Sequence, residues 1–420
     1  MIVERLLNAS ERRSSQNRLC FYWCFTALGM ACCGDAVLPL LAMELGISDA
    51  VTSMLGAMNY GCFLLLPLGF WAGGRYGAGR SMYIECAVMA LAALLLAGSG
   101  ALASHWLFFG GLAVYLVSRA ANFAMRFSLQ QNIAVDAETP AMLARNYIGM
   151  HSCSLIGFLL VSLVLYLFKG GNTMPLVLAA GGVFFFLAGK AIGGVFESES
   201  VRRQAAAPVR DQVKKAWQEP LIRQQIYVGC LLNLMLAAVV PVNILSARRG
   251  AGADASLVVM LTAVQALAAV SGCVLVRKVT QKFGPRTMML TGYPLLWMLC
   301  LCWIFMPEQP GWWYLLIPFV LSGILLMAFG TSLENYFLLS VRPDLQIGGT
   351  FLVFVVTGGV TGAVGMLMNW LIFKLSAFVL PPDAGSMDVY HFYYSVIGTV
   401  FAAGILLPWS LPEKSVQKKG

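Results

Sequence analysis

The sequence predicts an all-α polytopic membrane protein with twelve transmembrane helices in two pseudo-symmetric six-helix halves. Its composition is the first reason: 59% of the 420 residues are hydrophobic and only 11% are charged, whereas a soluble domain has roughly 25% charged residues. The second reason is a series of apolar runs, each long enough to cross a hydrocarbon core of about 30 Å. Backbone groups in lipid must be satisfied internally, and no alternating barrel-type pattern occurs, so these runs are predicted to be helices.

The apolar runs set the predicted order of the elements. A polar, basic tail precedes the first run, which favours a true span over a cleaved signal peptide. One long polar break separates the halves, and its residues 209–217 favour a short amphipathic helix on the membrane surface. The predicted domains are a tail at 1–18, a first bundle at 19–195, a central loop at 196–220, a second bundle at 221–411 and a tail at 412–420. The predicted spans are 19–43, 50–73, 81–103, 105–128, 145–168, 173–195, 221–246, 255–278, 287–306, 311–340, 346–376 and 389–411.

The distribution of basic residues predicts the orientation. If the N-terminus is placed inside, 21 of the 28 Lys and Arg fall in inside segments, 4 in outside loops and 3 within spans. This positive-inside pattern places both termini in the cytoplasm, and we expect a multi-pass protein of the plasma membrane, such as a bacterial inner membrane. The net charge of +9 then reflects topology and anionic lipid headgroups, so no nucleic-acid partner is expected.

Two pairs of matched turns indicate an internal duplication. The turns Gly74–Arg80 and Gln281–Arg286 are rich in glycine and basic residues, precede the third span of each half, and lie 207 residues apart. The turns after spans four and ten align Asp136 with Asp344 at an offset of 208. Duplicated helical bundles of this size are usually transporters.

These turns resemble the major facilitator superfamily, and the similarity covers essentially the full chain. The family's cytoplasmic signature runs Gly-x-x-x-Asp-Arg-x-Gly-Arg-Arg, and here its aspartate position holds Gly74. The charge-relay latch ascribed to this loop therefore lacks its acid, which leaves the basic turn to bind lipid phosphate or neighbouring helix ends. The resemblance implies alternating access, with spans one, four, seven and ten lining the cavity. The loop residues that carry it are Arg75, Gly77, Arg80, Asp136, Arg145, Lys282, Gly284 and Arg286.

Charged residues inside spans are functional candidates because they are costly in lipid. Asp35 lies in span one and Arg119 in span four. At 1.5 Å per residue, Asp35 is about 22 Å and Arg119 about 13 Å from the cytoplasmic end. The axial gap of about 9 Å favours a water-bridged or substrate-bridged pair over a tight salt bridge. The pair serves substrate anchoring, proton coupling or, alternatively, only helix packing.

Other polar residues in the spans complete the candidate site. Tyr115 and Asn122 share a helical face with Arg119, and such a stripe lines water or packs against polar partners. Glu334 is either a gate residue paired with Arg342 or a coupling site. The remaining candidates for contact with substrate are Asn59, Asn233, Asn243, Gln265 and Asn335.

The predicted function is secondary active transport of a small solute, with a proton or another ion as the coupling partner and Asp35 as the proton site. Two alternatives are a multidrug or metabolite efflux antiporter of the same fold and a transporter-like sensor that no longer transports. An enzyme is not expected, because the sequence has no P-loop, no Gly-x-Ser-x-Gly and only three His. All 11 Cys fall within predicted spans as small apolar residues, so we expect no disulfide, metal or cofactor. The protein is expected to be a monomer in contact with membrane lipids.

Overall fold

A computed structural model of the chain describes residues 2–34, 36–133, 139–168, 172–199, 209–341 and 345–412. Within these ranges, 12 helical segments are long and apolar enough to cross a membrane. The predicted all-α polytopic fold is therefore confirmed. Spans 1 to 12 comprise Ala9–Glu44, Asp49–Tyr76, Ala78–Ala101, His105–Phe123, Arg145–Leu167, Thr173–Gly193, Pro220–Gly250, Ala255–Thr280, Pro285–Ile304, Trp312–Phe337, Gly348–Val379 and Asp388–Ser410.

Four of the spans consist of more than one helical piece. Span 1 contains Ala9–Cys33 and Val37–Glu44, and span 2 contains Asp49–Thr52, Met54–Gly61, a 3-10 turn at Cys62–Leu65 and Leu66–Tyr76. Span 7 contains Pro220–Leu245 and a π-helical turn at Ser246–Gly250, and span 12 contains Asp388–Ala402, Ala403–Ile405 and Leu406–Ser410. The helices of the other spans are Ala78–Ala101, His105–Ile133, Thr139–Leu167, Thr173–Ile192, Ala255–Phe283, Pro285–Ile304, Trp312–Ser340 and Gln346–Val379.

The first helix begins at Ala9, well before the apolar run that starts at residue 19. Asn8 caps this helix: its side chain accepts from the Glu11 amide at 2.9 Å, and the Glu11 carboxylate accepts from the Asn8 amide at 2.9 Å. This reciprocal capping box satisfies two amides that the first turn leaves unpaired. About three polar helical turns therefore precede the apolar part of span 1, and hydropathy alone cannot detect them.

The chain forms two compact units. Unit 1 comprises Met1–Gly46 and Cys62–Pro208, and unit 2 comprises Ile47–Gly61 and Val209–Gly420. The first part of span 2 thus belongs, by its contacts, with spans 7 to 12. Its Gly61 packs so closely on Gly362 of span 11 that a side chain on Gly362 would collide with the Gly61 backbone. The bundle boundaries at 19–195 and 221–411 stay a prediction.

Unit 1 is built around spans 1, 3, 4 and 6. Its core includes Leu19, Trp23, Met82, Leu129 and Ile192, all almost fully buried. A parallel two-stranded sheet joins the tail to the segment after span 6, because Ile2–Val3 pairs with Glu197–Ser198. This small sheet positions Glu197 beside the turn between spans 2 and 3.

Unit 2 has a core rich in aromatic side chains. Tyr293 and Trp303 of span 9, Phe329 of span 10, and Tyr393 and Tyr394 of span 12 are almost fully buried. The short helix Val209–Gln218 precedes span 7, as the central loop predicts, and Ala216 joins the core cluster of this unit while Trp217 stays 48% exposed. Its location on the membrane surface stays a prediction.

Candidate transport site

The polar face of span 4 contacts span 1 within unit 1. Tyr115 is fully buried, and its hydroxyl lies 2.7 Å from the Met30 sulfur. Asn122 is also buried and accepts a hydrogen bond from the Tyr22 hydroxyl. Since Tyr115 and Asn122 both reach span 1, the helical face that the sequence predicts as polar points into the unit.

Arg119 belongs to the same face of span 4 and is half-buried. The sequence predicts Asp35 as its partner, and Asp35 lies outside the described residues. The pairing of Asp35 with Arg119 therefore stays a prediction.

Asn243 is the best-connected of the candidates in unit 2. Trp303 Nε1 donates to its Oδ1 at 2.8 Å, and the Tyr394 hydroxyl donates to the same atom at 2.9 Å. The Trp303 and Tyr394 rings stack with centroids 5.7 Å apart. The Asn243 amide nitrogen is buried without a hydrogen-bond partner among the described residues. Pro241 and the π-helical turn flank this residue, and such irregular turns often mark functional positions.

The other predicted polar candidates are spread over several spans. Gln265 of span 8 is buried. The side chains of three asparagines are half-buried, and Glu334 is exposed. Among the described residues, the hydrogen bonds of Asn243 go to aromatic residues rather than to the other candidates. The half-buried asparagines are Asn59, Asn233 and Asn335.

The sequence analysis does not identify an ion pair that lies at the start of span 2. Asp49 accepts from Arg249, which follows span 7, and from the Tyr390 hydroxyl of span 12 at 2.8 Å. Arg249 also donates to the Ile47 carbonyl at 3.0 Å. Because Asp49 and Tyr390 are 341 residues apart, no local pattern brings them together. The three side chains fix the start of span 2 to the rest of unit 2.

Glu85 is the functional candidate that the sequence analysis misses. It lies in the interior of span 3, and its Oε2 is buried without a hydrogen-bond partner among the described residues. Span 3 packs mainly against spans 4 and 6, and no charged side chain in the described part of those spans contacts this carboxyl group. The available signal is simple: Glu85 is the only acidic residue in Ala78–Ala101.

An acidic side chain from a distant segment of the chain contacts the first glycine-rich turn. Gly77 has φ +90°, a conformation that glycine adopts without steric cost. The Glu197 carboxylate then accepts from the Ala78 amide at 2.8 Å and from the Gly79 amide at 2.5 Å. The helix of span 3 begins at these amides, so a negative charge is favourable there. The loop's missing aspartate is thus matched by Glu197, which the sequence analysis does not assign to this turn.

The second glycine-rich turn has the same backbone conformation as the first, but it contacts a different partner. Gly284 has φ +86°, and Arg286 donates to the Trp409 carbonyl at the end of span 12 at 2.6 Å. The Arg286 guanidinium also lies over the Trp409 ring, 5.7 Å from its centroid. Lys282 lies 4.9 Å from the centroid of the Phe283 ring. The basic residues of this turn therefore contact aromatic rings and a helix end.

The remaining loop residues have separate surroundings. The Arg75 guanidinium lies 5.5 Å from the centroid of the Trp71 ring, and Arg80 is exposed. Arg145 donates to the Asn17 side chain at 2.8 Å. Asp136, its predicted neighbour in the loop after span 4, lies outside the described residues.

Twelve helical spans and two glycine turns of the same backbone form define a class of protein: a polytopic helical membrane protein with a repeated turn. The family model described as "Major Facilitator Superfamily" matches residues 19–366. The chain therefore belongs to the major facilitator superfamily. No curated protein sequence matches it.

Solved structures of transporters share the fold. A variant of the nucleoside transporter NupG has a TM-score of 0.73 and 12% identity, covering 94% of this chain and 100% of that one. Tetrameric PepTSo2 has a TM-score of 0.70 and 11% identity, covering 95% and 98%. A bacterial homologue of the human lysosomal transporter Spinster has a TM-score of 0.67 and 12% identity, covering 96% and 98%. At such identities the likeness shows the fold alone.

Proposed function

We propose that the chain is a proton-coupled secondary transporter that moves a small solute by alternating access of its two halves. The proposed coupling rests on Glu85, because its carboxyl group lies inside span 3 and has one buried oxygen without a hydrogen-bond partner among the described residues. Asp35 keeps its predicted role as a further proton site. Arg119 modulates Asp35 or binds an anionic solute, since a neighbouring cation favours the ionised carboxylate.

The surroundings of Glu85 favour proton binding for a physical reason. An ionised carboxylate away from water is costly unless it is paired and hydrogen-bonded. The described residues offer Glu85 neither a cation nor a donor for Oε2. Protonation neutralises the carboxyl group and removes this cost. If a conformational change exposed Glu85 to water, the ionised carboxylate would be solvated and the proton could leave. Binding and release of a proton thereby become linked to conformation, as ion coupling requires.

The charge distribution supports the remaining parts of the proposal. Of the 28 Lys and Arg, 21 fall in the segments predicted to face inside, so both termini are assigned to the cytoplasm of a cell whose plasma membrane holds the protein. The protein is proposed to work as a monomer with a small-molecule substrate.

The first experiment finds the solute. The purified protein is screened by thermal shift against sugars, organic acids, amino acids, peptides, nucleosides and drugs, because a ligand that binds only the folded state raises the apparent melting temperature. The ligand that stabilises the protein most is then used, radiolabelled, in proteoliposomes with and without an imposed proton gradient.

We expect the wild type to accumulate this solute when the proton gradient is imposed. Glu85→Gln should lose gradient-driven accumulation and keep exchange of solute between equal concentrations, because an amide fills the space of the carboxyl group and cannot carry the proton. Asp35→Asn is measured beside it. Glu308→Gln is the matched control, since Glu308 is an exposed residue of the loop between spans 9 and 10.

Three results would contradict the proposal in different ways. Undiminished accumulation by Glu85→Gln removes Glu85 from coupling. Undiminished accumulation by both Glu85→Gln and Asp35→Asn removes both assigned proton sites. Solute binding without any uptake or exchange in the wild type favours the transporter-like sensor.

A further inference from the structure

A groove of about 500 Å³ lies between spans 1 and 6 of unit 1. Its polar end contains Arg18 of span 1 and Lys190 of span 6, and its apolar part contains Phe21, Phe25 and Leu187. Along both helices the apolar residues lie about one to two turns further into the span than the cation. The groove therefore runs from a cationic end to an apolar one, in the direction of the spans.

The two cations of the groove lack an acidic partner. No described carboxylate contacts Arg18 or Lys190, and the Lys190 Nζ lies 4.9 Å from the centroid of the Phe186 ring. The Arg18 guanidinium lies in the space that a side chain at Gly194 would occupy. The absent side chain at Gly194 thus lets Arg18 approach the end of span 6. Two positive charges that line one groove, with no carboxylate of the described residues beside them, favour an anion there.

The rim of the groove adds polar groups. Ser14 and Asn17 line it, and Asn17 accepts from Arg145 of span 5 at 2.8 Å. The groove thus offers a hydroxyl and two cationic side chains, from spans 1 and 6, to one ligand. This donor set suits a phosphate group, which accepts several charge-assisted hydrogen bonds.

The apolar part of the groove indicates which kind of phosphate-containing ligand the groove can bind. Phe21 is 59% exposed beside the cationic end, and Phe25 and Leu187 continue the apolar surface deeper into the span. A free phosphate ion would use only the cations. A phospholipid places its phosphate at the cations and its acyl chains on the apolar residues. We propose that the groove between spans 1 and 6 is a binding site for an anionic glycerophospholipid, with Arg18 and Lys190 holding its phosphate.

Lipid titration followed by native mass spectrometry tests the site. Palmitoyl-oleoyl phosphatidylglycerol is titrated into the full-length protein in detergent, and the zwitterionic phosphatidylcholine with the same chains is titrated in parallel. We expect tighter binding of phosphatidylglycerol by the wild type. Arg18→Gln with Lys190→Gln should weaken it about 30-fold, because each cation near a lipid surface contributes a factor of about five.

The control removes the same charge elsewhere. Arg13 is an exposed residue of the same helix as Arg18, and Lys278 is an exposed residue of span 8. Arg13→Gln with Lys278→Gln should keep the affinity of the wild type. Arg18→Lys with Lys190→Arg retains both charges and should also bind, which keeps the test valid if the glutamine pair folds poorly.

Several outcomes would overturn the proposal. Equal loss of phosphatidylglycerol in the groove variant and in the control would show an effect of net charge alone. Equal affinity of the wild type for the two lipids would remove the role of the headgroup. Inorganic phosphate that competes fully with phosphatidylglycerol and stabilises the protein to the same extent would show an anion site without a lipid.

Discussion

Gly77 in unit 1 and Gly284 in unit 2 occupy equivalent turns, 207 residues apart, and the two turns are secured by opposite charges. Both glycines have similar positive φ values, +90° and +86°. In unit 1 the carboxylate of Glu197, which follows span 6, accepts from the amides that begin span 3. In unit 2 the guanidinium of Arg286, which begins span 9, donates to a carbonyl at the end of span 12. Each turn is therefore joined to the end of the last span of its own half.

Two substitutions explain why the partners differ. At the offset of 207, Ala78 corresponds to Pro285, which has no amide hydrogen to donate to a carboxylate. Gly79 corresponds to Arg286, and a Cβ at Gly79 would lie only 2.8 Å from the Glu197 carboxylate. The carboxylate can accept from both amides in unit 1 because the first position has an amide hydrogen and the second has no side chain. The duplicated backbone is thus retained while its chemistry diverges.

The largest effect is expected from Glu197→Ala. It removes two charge-assisted hydrogen bonds and leaves two buried amides unpaired, which costs about 3 kcal/mol. Hydrogen exchange measured by mass spectrometry should show the start of span 3 opening on the order of a hundredfold more often.

Two variants control this measurement. Glu197→Gln keeps one acceptor oxygen and should lie between the wild type and Glu197→Ala. Glu219→Ala removes an acid that precedes span 7 and should leave exchange at span 3 unchanged. Unchanged exchange at span 3 in Glu197→Ala would show that the carboxylate does not secure the turn.

An intermediate effect is expected from alanine at the two glycines. Positive φ costs a residue with a Cβ about 1–2 kcal/mol, so Gly77→Ala and Gly284→Ala should both lower the apparent melting temperature. At Gly77 the new Cβ would also lie 3.3 Å from the Glu197 Oε2. Gly77→Ala should therefore be non-additive with Glu197→Ala, whereas Gly284→Ala should add to it within about 0.5 kcal/mol. Additivity in both double variants would mean that Glu197 and Gly77 act independently.

The smallest effect is expected from Arg286→Ala. Its bond to the Trp409 carbonyl is exposed, and interactions of exposed charges contribute roughly 0–1 kcal/mol. Exchange at the end of span 12 should rise less than tenfold, and Arg286→Lys should recover part of the protection. A loss as large as that of Glu197→Ala would contradict the ranking of the two turns.

The fold is largely predictable because the length and hydropathy of an apolar run are enough to identify a membrane span. The ends of the helices depend on local capping residues. Asn8 and Glu11 specify the polar helix that begins at Ala9, and an average of hydropathy over a window does not detect this capping pattern. The division of span 2 at Gly61 is not predictable, because it depends on contacts with span 11 that no local sequence pattern encodes.

The candidate site is less predictable than the fold. The face of span 4 follows from helical spacing, and Tyr115 and Asn122 both contact span 1 from it. Glu85 is hidden in an apolar run, where one acid hardly changes the average. The partnership of Glu197 with the turn at Gly77 requires the chain to return after four spans, so no spacing rule indicates it.

The small sheet of unit 1 has a consequence for how this part of the chain is made. Its strands, Ile2–Val3 and Glu197–Ser198, lie on either side of the six spans that separate them along the chain. During synthesis the first strand can pair with the second only after span 6 has left the ribosome. The same event delivers Glu197 to the start of span 3. Pairing of the two strands therefore follows the synthesis of all six N-terminal spans.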